Sequence, residues 1–341
     1  MKNIYGYTIE KLEQYFTNIN DKKFRAIQIY EWLYKKRVTS FDSMNNIKKE
    51  IIEKLKKDFS ISNIEIINKQ TDKDVVKYLF KLEDNSKVEA VLMKHDYGNS
   101  LCVSSQVGCN MGCAFCESGR LKKVRNLEVH EMVLQILTVE KDLNIRVSHI
   151  VVMGIGEPFD NYDNLMDFLN IINAPKGIDI GARHITVSTC GIVPKIKKFA
   201  REQKQVNLAI SLHAPNDKIR NKIMKINKVY TINEIIESVK EYIKLTNRRV
   251  TFEYIMLYNI NDSIENAVEL SKILKGINCY VNIIPYNETS NIEFKKSPKE
   301  RIMAFYDILK KNNINVTIRK EFGSKVSAAC GQLRSNYEEE N

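Results

Sequence analysis

Seven short apolar runs separated by helix-length amphipathic segments fill the chain from about residue 100 onward. No other feature limits the possible folds as strongly. The runs fall at 101–105, 148–153, 183–188, 206–212, 249–256, 279–284 and 314–318. Apolar residues at helical spacing lie between them, near 128–144, 160–173, 194–201, 231–245, 262–275 and 297–311. Strands that alternate with helices pair through crossovers rather than hairpins, so a parallel sheet covered by helices is expected. A full or partial (β/α) barrel fits better than an open doubly wound sheet, because the candidate functional residues fall at many different strand ends.

The first hundred residues have another character. Thr8 is placed to cap a helix from Ile9 towards Asn18, with Leu12, Tyr15 and Phe16 on one face. Phe24, Ile27, Tyr30, Leu33 and Tyr34 mark a second helix, with Trp32 beside the stripe. A third is expected to start at Ser43, with Ile47, Ile51, Ile52 and Leu55 inside and a lysine-rich outer face. Val75–Phe80 and Val88–Leu92 read as strands around a turn at Glu83-Asp84-Asn85-Ser86. The expected organisation is a helical accessory domain over 1–60, a strand-rich connector over 61–98 and a catalytic barrel over 99–341. A length of 341 residues agrees with about two domains.

Composition narrows the classes. Hydrophobic residues at 43% and charged residues at 28% exclude disorder as the main state. No apolar run approaches the roughly 18 residues of a membrane-spanning helix. Met1-Lys2-Asn3-Ile4-Tyr5 leads into charged sequence without an apolar signal region, so a cytoplasmic protein is expected. Seven cysteines, an odd count, do not suggest a secreted disulfide scaffold. The net charge of +11 is spread along the chain, with 18 basic against 14 acidic side chains in residues 1–90 and 35 against 28 thereafter. A polyanionic partner such as nucleic acid is plausible, and a merely lysine-rich surface is the plain alternative.

Cys109, Cys113 and Cys116 stand in a C-x3-C-x2-C spacing just after the first barrel strand. Three such thiolates on one loop can hold an iron–sulfur cluster and leave one iron of a four-iron cluster open to a small chelating molecule. Zinc usually takes four ligands, often as two paired sets, and no second C-x-x-C pair is present. Arg120, Lys122, Lys123 and Arg125 follow the loop and could grip phosphates. A solvated loop is the alternative. Cys102, Cys190, Cys279 and Cys330 are spare thiols, and a lone cysteine on an apolar strand is usually a small buried hydrophobe. Glu89 is an acidic residue in an alternating strand, where such residues usually face solvent.

The cysteine loop resembles that of the radical S-adenosylmethionine (SAM) enzymes. A wider set carries the resemblance further: Val103-Ser104-Ser105-Gln106-Val107-Gly108-Cys109, Arg125-Asn126-Leu127, Met153-Gly154-Ile155-Gly156-Glu157-Pro158, Ser188-Thr189-Cys190-Gly191, Ser211-Leu212-His213, Pro285-Tyr286-Asn287 and Ala329-Cys330-Gly331-Gln332-Leu333. Together these resemble the RlmN/Cfr family of radical SAM RNA methyltransferases over nearly the whole chain. The resemblance implies a partial (β/α)6 radical SAM barrel with a small helical accessory domain at the amino terminus. It implies a [4Fe-4S] cluster on Cys109, Cys113 and Cys116, and two SAM molecules per turnover. SAM contacts are implied for Gly156, Glu157, Ser188, Ser211, Leu212, His213 and Asn287. Cys330 matches the methyl-carrying cysteine, Cys102 the resolving cysteine and Glu89 the base that takes the carbon 2 proton of adenine; Cys190 and Cys279 are expected to be structural.

The implied substrates are 23S rRNA at the peptidyl-transferase region and the tRNA adenosine next to the anticodon. An electron donor such as flavodoxin or ferredoxin is implied, and a monomer is the simplest expectation. The rival within the family is a Cfr-type carbon 8 enzyme conferring antibiotic resistance. Val107 and Pro158 match the carbon 2 branch, where the rival is expected to carry Cys and often Ala. A non-catalytic RNA-binding protein with a structural metal is the reading from another class, and the spare thiols Cys102 and Cys330 argue against it.

Overall fold

The computed structural model describes residues 1–289 and 291–319. Strand β1 (Lys2–Asn3) pairs in parallel with β2 (Phe59–Ser60) and so ties together the ends of the helical segment. That segment contains α1 (Ile9–Asn18), α2 (Phe24–Tyr30) and α3 (Lys49–Asp58). Thr8 caps α1 by accepting from the Lys11 N–H. Two expectations need correction here. The buried face of α2 and the π-helical turn after it centres on Ala26, Ile29, Tyr30 and Leu33, while Phe24 and Ile27 are exposed. Reading by the largest side chains overlooked a face centred on a small alanine. Nor does α3 begin at Ser43, because Phe41–Ser43 closes a separate 3-10 turn capped by the Ser40 hydroxyl.

The sheet then builds from its antiparallel edge. β3 (Glu65–Asp72), β4 (Val75–Lys81), β5 (Lys87–His95) and β6 (Gly98–Cys102) form a meander. A small ladder of β7 (Gln106–Val107) with β8 (Arg125–Asn126) frames the cysteine loop. Six β/α units start at β6 and continue through α4 (Val129–Leu143), β9 (His149–Val152), α5 (Tyr162–Asn173), β10 (Ile185–Thr189), α6 (Val193–Glu202), β11 (Asn207–Ser211), α7 (Asp217–Ile223), α8 (Ile232–Thr246), β12 (Val250–Met256), α9 (Ile264–Leu274), β13 (Cys279–Pro285) and α10 (Lys299–Lys311). The parallel strand β14 (Asn315–Ile318) follows. The ten-stranded order is β14-β13-β12-β11-β10-β9-β6-β5-β4-β3. This is a partial (β/α)6 barrel whose first strand carries an antiparallel extension. The seven strand regions read from sequence all appear; the longest element left unread is β3, and the short α7 and the two-residue strands β1, β2, β7 and β8 were unread too.

Strand alternation assigns the two faces. Leu101, Val103, Ile150, Val187, Leu208, Ile210, Phe252 and Val281 point outward into the main core beneath the helices. The opposite face carries the register row Lys77–Val91–Cys102–Val151–Thr186–Asn207, each a cross-strand neighbour of the next. A higher row is Ser211–Glu253–Asn282. Polar side chains recur on this inward face, so the strands present chemistry there and apolar bulk on the other side. No helix of the described residues is long and apolar enough to cross a membrane.

Candidate active site

The inward-facing positions meet the cysteine loop at the carboxyl ends of the strands. The loop is held from several sides. Its flanks pair through Val124 N–H to Val107 O and Cys109 N–H to Leu121 O, at 2.8 and 3.1 Å. Its centre is pinned to α7 by Ala114 N–H donating to Ile223 O at 2.9 Å. Cys109, Cys113 and Cys116 line one cavity together with Gly156, Glu157, Ser188, Ser211 and His213. Eight of the residues singled out from sequence therefore surround one space.

The segment after β9 packs against the continuation of β6 with no room to spare. Ser104 Oγ accepts from Ile155 N–H and donates to the Glu89 carbonyl, at 2.9 and 2.6 Å. Gln106 Oε1 accepts from Glu157 N–H at 2.9 Å, while its amide donates to Asn126 and Asp160. A Cβ on Gly154 would stand 2.7 Å from the Ser104 nitrogen, and one on Gly156 would stand 2.6 Å from Gln106 Cβ. Gly156 also sits at φ +112°, in the region that favours glycine. The glycines thus permit the backbone contact that sets Glu157 in place. Its Oε1 accepts from Phe159 N–H and its Oε2 from Cys190 N–H, at 3.0 and 2.7 Å. Burial pushes the Glu157 carboxyl up, and those N–H bonds oppose the rise. A carboxylate so oriented suits a cationic amino group.

His213 is equally fixed. It occupies φ +57°, its Nδ1 accepts from Ile255 N–H at 3.0 Å, and Phe115 packs edge-on against the ring. Burial, aided by the Arg220 charge, pulls its pKa down to about 3. The ring is therefore neutral, with Nε2 carrying the proton as a donor. Ser188 and Ser211 hydroxyls lie 3.4 Å apart on adjacent strands and suit a vicinal diol. Glu253, which also lines the cavity, accepts from Asn282 at 2.8 Å; burial pushes its carboxyl up.

Not every expected residue joins the cavity lining. The Leu212 side chain is fully buried in the main core, so only its backbone is near the site. Asn287 is half-buried, and its amide donates to Pro285 O at 3.5 Å. Cys102 and Glu89 stand next door on the inward face, where Cys102 packs with Val75, Val91, Met93 and Ile155. Glu89 is buried rather than solvent-facing, with Oε1 2.8 Å from Lys77 Nζ. Cys330 lies outside the described residues. Cys279 is in the main core, whereas Cys190 lines the cavity beside the three loop thiols. The six described cysteines are all reduced.

The basic run after the loop differs from expectation. Arg125 forks onto both Glu131 oxygens at 2.7 and 2.8 Å and reaches Asp84 with Nε at 2.7 Å. Lys123 pairs with Asp160 at 2.6 Å. Arg120, which donates to the Asn291 carbonyl, and Lys122 remain exposed to solvent. Sequence reasoning also missed α7, whose Arg220 is fully buried and bonded to the backbone of two strand ends. The signal was slight, since only Asn216 capping Ile219 N–H marks a helix of seven residues.

A cluster would suit the three loop thiols. Burial pushes Cys109 up to about 12 and raises Cys113 as well, with mutual repulsion adding to both. Thiols in that state need a cationic group to draw off their protons, which iron supplies. Among the described residues no three side chains are placed to hold a single metal ion.

Comparison with known proteins agrees with this geometry. The sequence profile described as "Radical SAM superfamily" matches residues 103–271, and that described as "Ribosomal RNA large subunit methyltransferase N-terminal domain" matches residues 2–61. The chain is 54% identical over 342 residues to the probable dual-specificity RNA methyltransferase RlmN of Spiroplasma citri, covering 99% of both chains. It is 53% identical over 333 residues to the protein of the same name from Acholeplasma laidlawii, covering 97% of this chain and 98% of that one. The chain belongs to the RlmN family of radical SAM methyltransferases. The crystal structure of a radical SAM methyltransferase from Sphaerobacter thermophilus superposes with a TM-score of 0.92 at 39% identity, covering 98% of this chain and all of that one. Membership makes the chain a SAM-dependent methyltransferase that uses a [4Fe-4S] cluster and SAM.

Proposed function

We propose that this enzyme methylates carbon 2 of adenosine in 23S rRNA and in tRNA next to the anticodon. The reading is supported above all by the convergence of the cysteine loop, Glu157, the two serine hydroxyls and His213 on one cavity. Cys109, Cys113 and Cys116 hold the cluster, Glu157 receives the SAM amino group, and Ser188 and Ser211 receive its ribose. When bound, these cofactors supply a 5′-deoxyadenosyl radical. The radical route suits the substrate, because carbon 2 of adenine is electrophilic and resists direct transfer of a cationic methyl group.

Cys330 takes a methyl group from a first SAM and presents it to the base as a thioether. The radical would take one hydrogen atom from that methyl group, leaving a sulfur-bound methylene that adds to carbon 2. The adduct then gives up its unpaired electron, for which the cluster would be the acceptor, and Glu89 takes the proton from carbon 2. The Cys102 thiolate then attacks the Cys330 sulfur, breaking its bond to the methylene and forming a transient disulfide; the released carbon takes up a proton to become the methyl group, and an external thiol reductant reopens the disulfide. An internal adenosine must be extruded from its stack to reach the lumen. A small flavodoxin- or ferredoxin-type donor supplies electrons to a cytoplasmic monomer.

Anaerobic turnover with reductant, SAM and RNA fragments, followed by mass analysis of nucleosides, tests this reading. 2-Methyladenosine is expected; 8-methyladenosine, the Cfr-type product, would overturn it. Cys330→Ala is expected to abolish methyl loading of the protein. Cys102→Ala is expected to trap a covalent RNA adduct, and clean turnover by that variant would remove Cys102 from the scheme.

A further inference from the structure

Arg220 is the one fully buried arginine of the described residues, at 0% exposure. Its guanidinium donates to four neutral oxygens: Leu212 O at 3.0 Å, Asn227 Oδ1 at 3.0 Å, Cys190 O at 2.6 Å and Ser211 O at 3.1 Å. Among the described residues it makes no ion pair. Asp217, on the same helix, is a charged neighbour, but every hydrogen-bond partner of the guanidinium is neutral. A buried charge held in this way is costly, and a neutral side chain could satisfy several of those carbonyls without that cost. Its surroundings suggest why a cation stands there. Two of the carbonyls that Arg220 holds belong to Cys190 and Ser211, which line the cavity together with the three loop cysteines. The helix that carries it is bonded to the cysteine loop through Ala114 and Ile223. Glu157 accepts from the Cys190 N–H while Arg220 donates to the C=O of the same residue. The backbone of one residue therefore meets a buried carboxyl group at its N–H and a buried cation at its C=O. The carboxyl group faces the place proposed for a cationic amino group. Three thiolates and a SAM carboxylate would bring the matching negative charge. Lys225 also lies over the loop at Gly112, but it is exposed and its charge is screened by water.

We infer that Arg220 is a positioning residue that serves as the built-in counter-charge for the iron–sulfur cluster and raises its reduction potential. The inference rests on the cluster being held by Cys109, Cys113 and Cys116. The test uses full-length protein reconstituted with iron and sulfide, without RNA, and follows cluster reduction by EPR at controlled potential. Arg220→Gln keeps hydrogen-bonding groups but loses the charge; Arg220→Lys keeps the charge but loses the fork. At the wild-type midpoint, Arg220→Gln is expected to show a reduced-to-oxidised ratio at least tenfold lower, or about 59 mV for a one-electron couple. Arg220→Lys is expected to stay within threefold of wild type. Equal shifts in both variants, or a shift in neither, would mean that Arg220 acts only as a structural tie. Should Arg220→Gln take up no iron while Arg220→Lys loads fully, the charge is again what matters; loss of iron from both overturns the proposal. Wild-type protein that binds no iron would instead overturn the cluster assignment.

Discussion

Removing the ammonium of Lys77 should leave Glu89 as a buried carboxylate without this cation. Lys77 and Glu89 face the lumen from β4 and β5, one diagonal step apart in register, with side chains 11% and 4% exposed and a 2.8 Å contact. A solvated pair of this kind contributes less than about 1 kcal/mol. A buried pair behaves otherwise: deleting one member of it costs about 3 to 5 kcal/mol. Lys77→Met keeps the aliphatic stem and removes only the charge. Its unfolding midpoint should therefore fall by roughly 6 to 15 °C, taking about 2 to 3 °C per kcal/mol for a chain of this size. Lys77→Met combined with Glu89→Gln removes both charges and should recover most of the loss. Denaturant unfolding of all four proteins gives the coupling directly. A loss below about 1 kcal/mol in Lys77→Met, or a double variant no more stable than that single one, would refute the reasoning. Glu89 would then be hydrated or neutral, and its fitness as the carbon 2 base would fall with it. Glu89→Gln itself should still accept a methyl group on Cys330 while yielding no methylated RNA.

Three other outcomes are expected. His213 titrates near 3 when folded, against about 6.5 when unfolded, so only the unfolded chain gains its proton as pH drops between these values. Stability from this residue is complete above about pH 6.5 and falls by about 1.4 kcal/mol per unit below it; His213→Asn should show a correspondingly shallower acid slope in urea midpoints from pH 7 to 5. Gly156→Ala must place a Cβ 2.6 Å from Gln106 at φ +112°, and should lose about 1 to 3 kcal/mol of stability and at least tenfold in SAM affinity by calorimetry. Gly181→Ala, where the added carbon meets nothing within 4 Å, is the neutral control. Arg120→Ala and Lys122→Ala should each reduce the salt slope of RNA binding by about one ion, whereas Arg125→Ala should lower thermal stability and leave that slope unchanged, since its guanidinium already serves Glu131 and Asp84.

The barrel was legible because its elements are long and their patterns agree with their environments. Each parallel strand of the barrel is built on an apolar run bounded by polar turns, and every helix longer than one or two turns shows a repeating buried stripe. Where the reading failed, a short-range pattern had competed with a longer-range contact. α2 buries Ala26 instead of Phe24 because the face is chosen by what packs across it, not by side-chain size. β3 reads as polar, with Lys69 and Gln70 among its residues, because it is the sheet's far edge and one flank meets water.

The site divides along the same line. Motif residues that act through their own local geometry were visible: the cysteine loop, the glycines before Glu157, the serines at strand ends. Residues that act by holding those in place were not, since their partners are distant in sequence. Ser104 and Gln106 bond residues 51 positions away, and Gln135 receives the Ser104 N–H from 31 positions away. The sharpest case is charge. Of the four cations that follow the cysteine loop, two are consumed by neighbouring carboxylates, while Arg220, more than a hundred positions beyond the first loop cysteine, is brought fully buried behind Cys190 and Ser211 of the cavity wall. Proximity along the chain overstates the influence of charges that water and counter-ions reach. Burial amplifies a single charge that neither can reach, so the counter-charge proposed for the cluster stands in the least legible helix of the barrel.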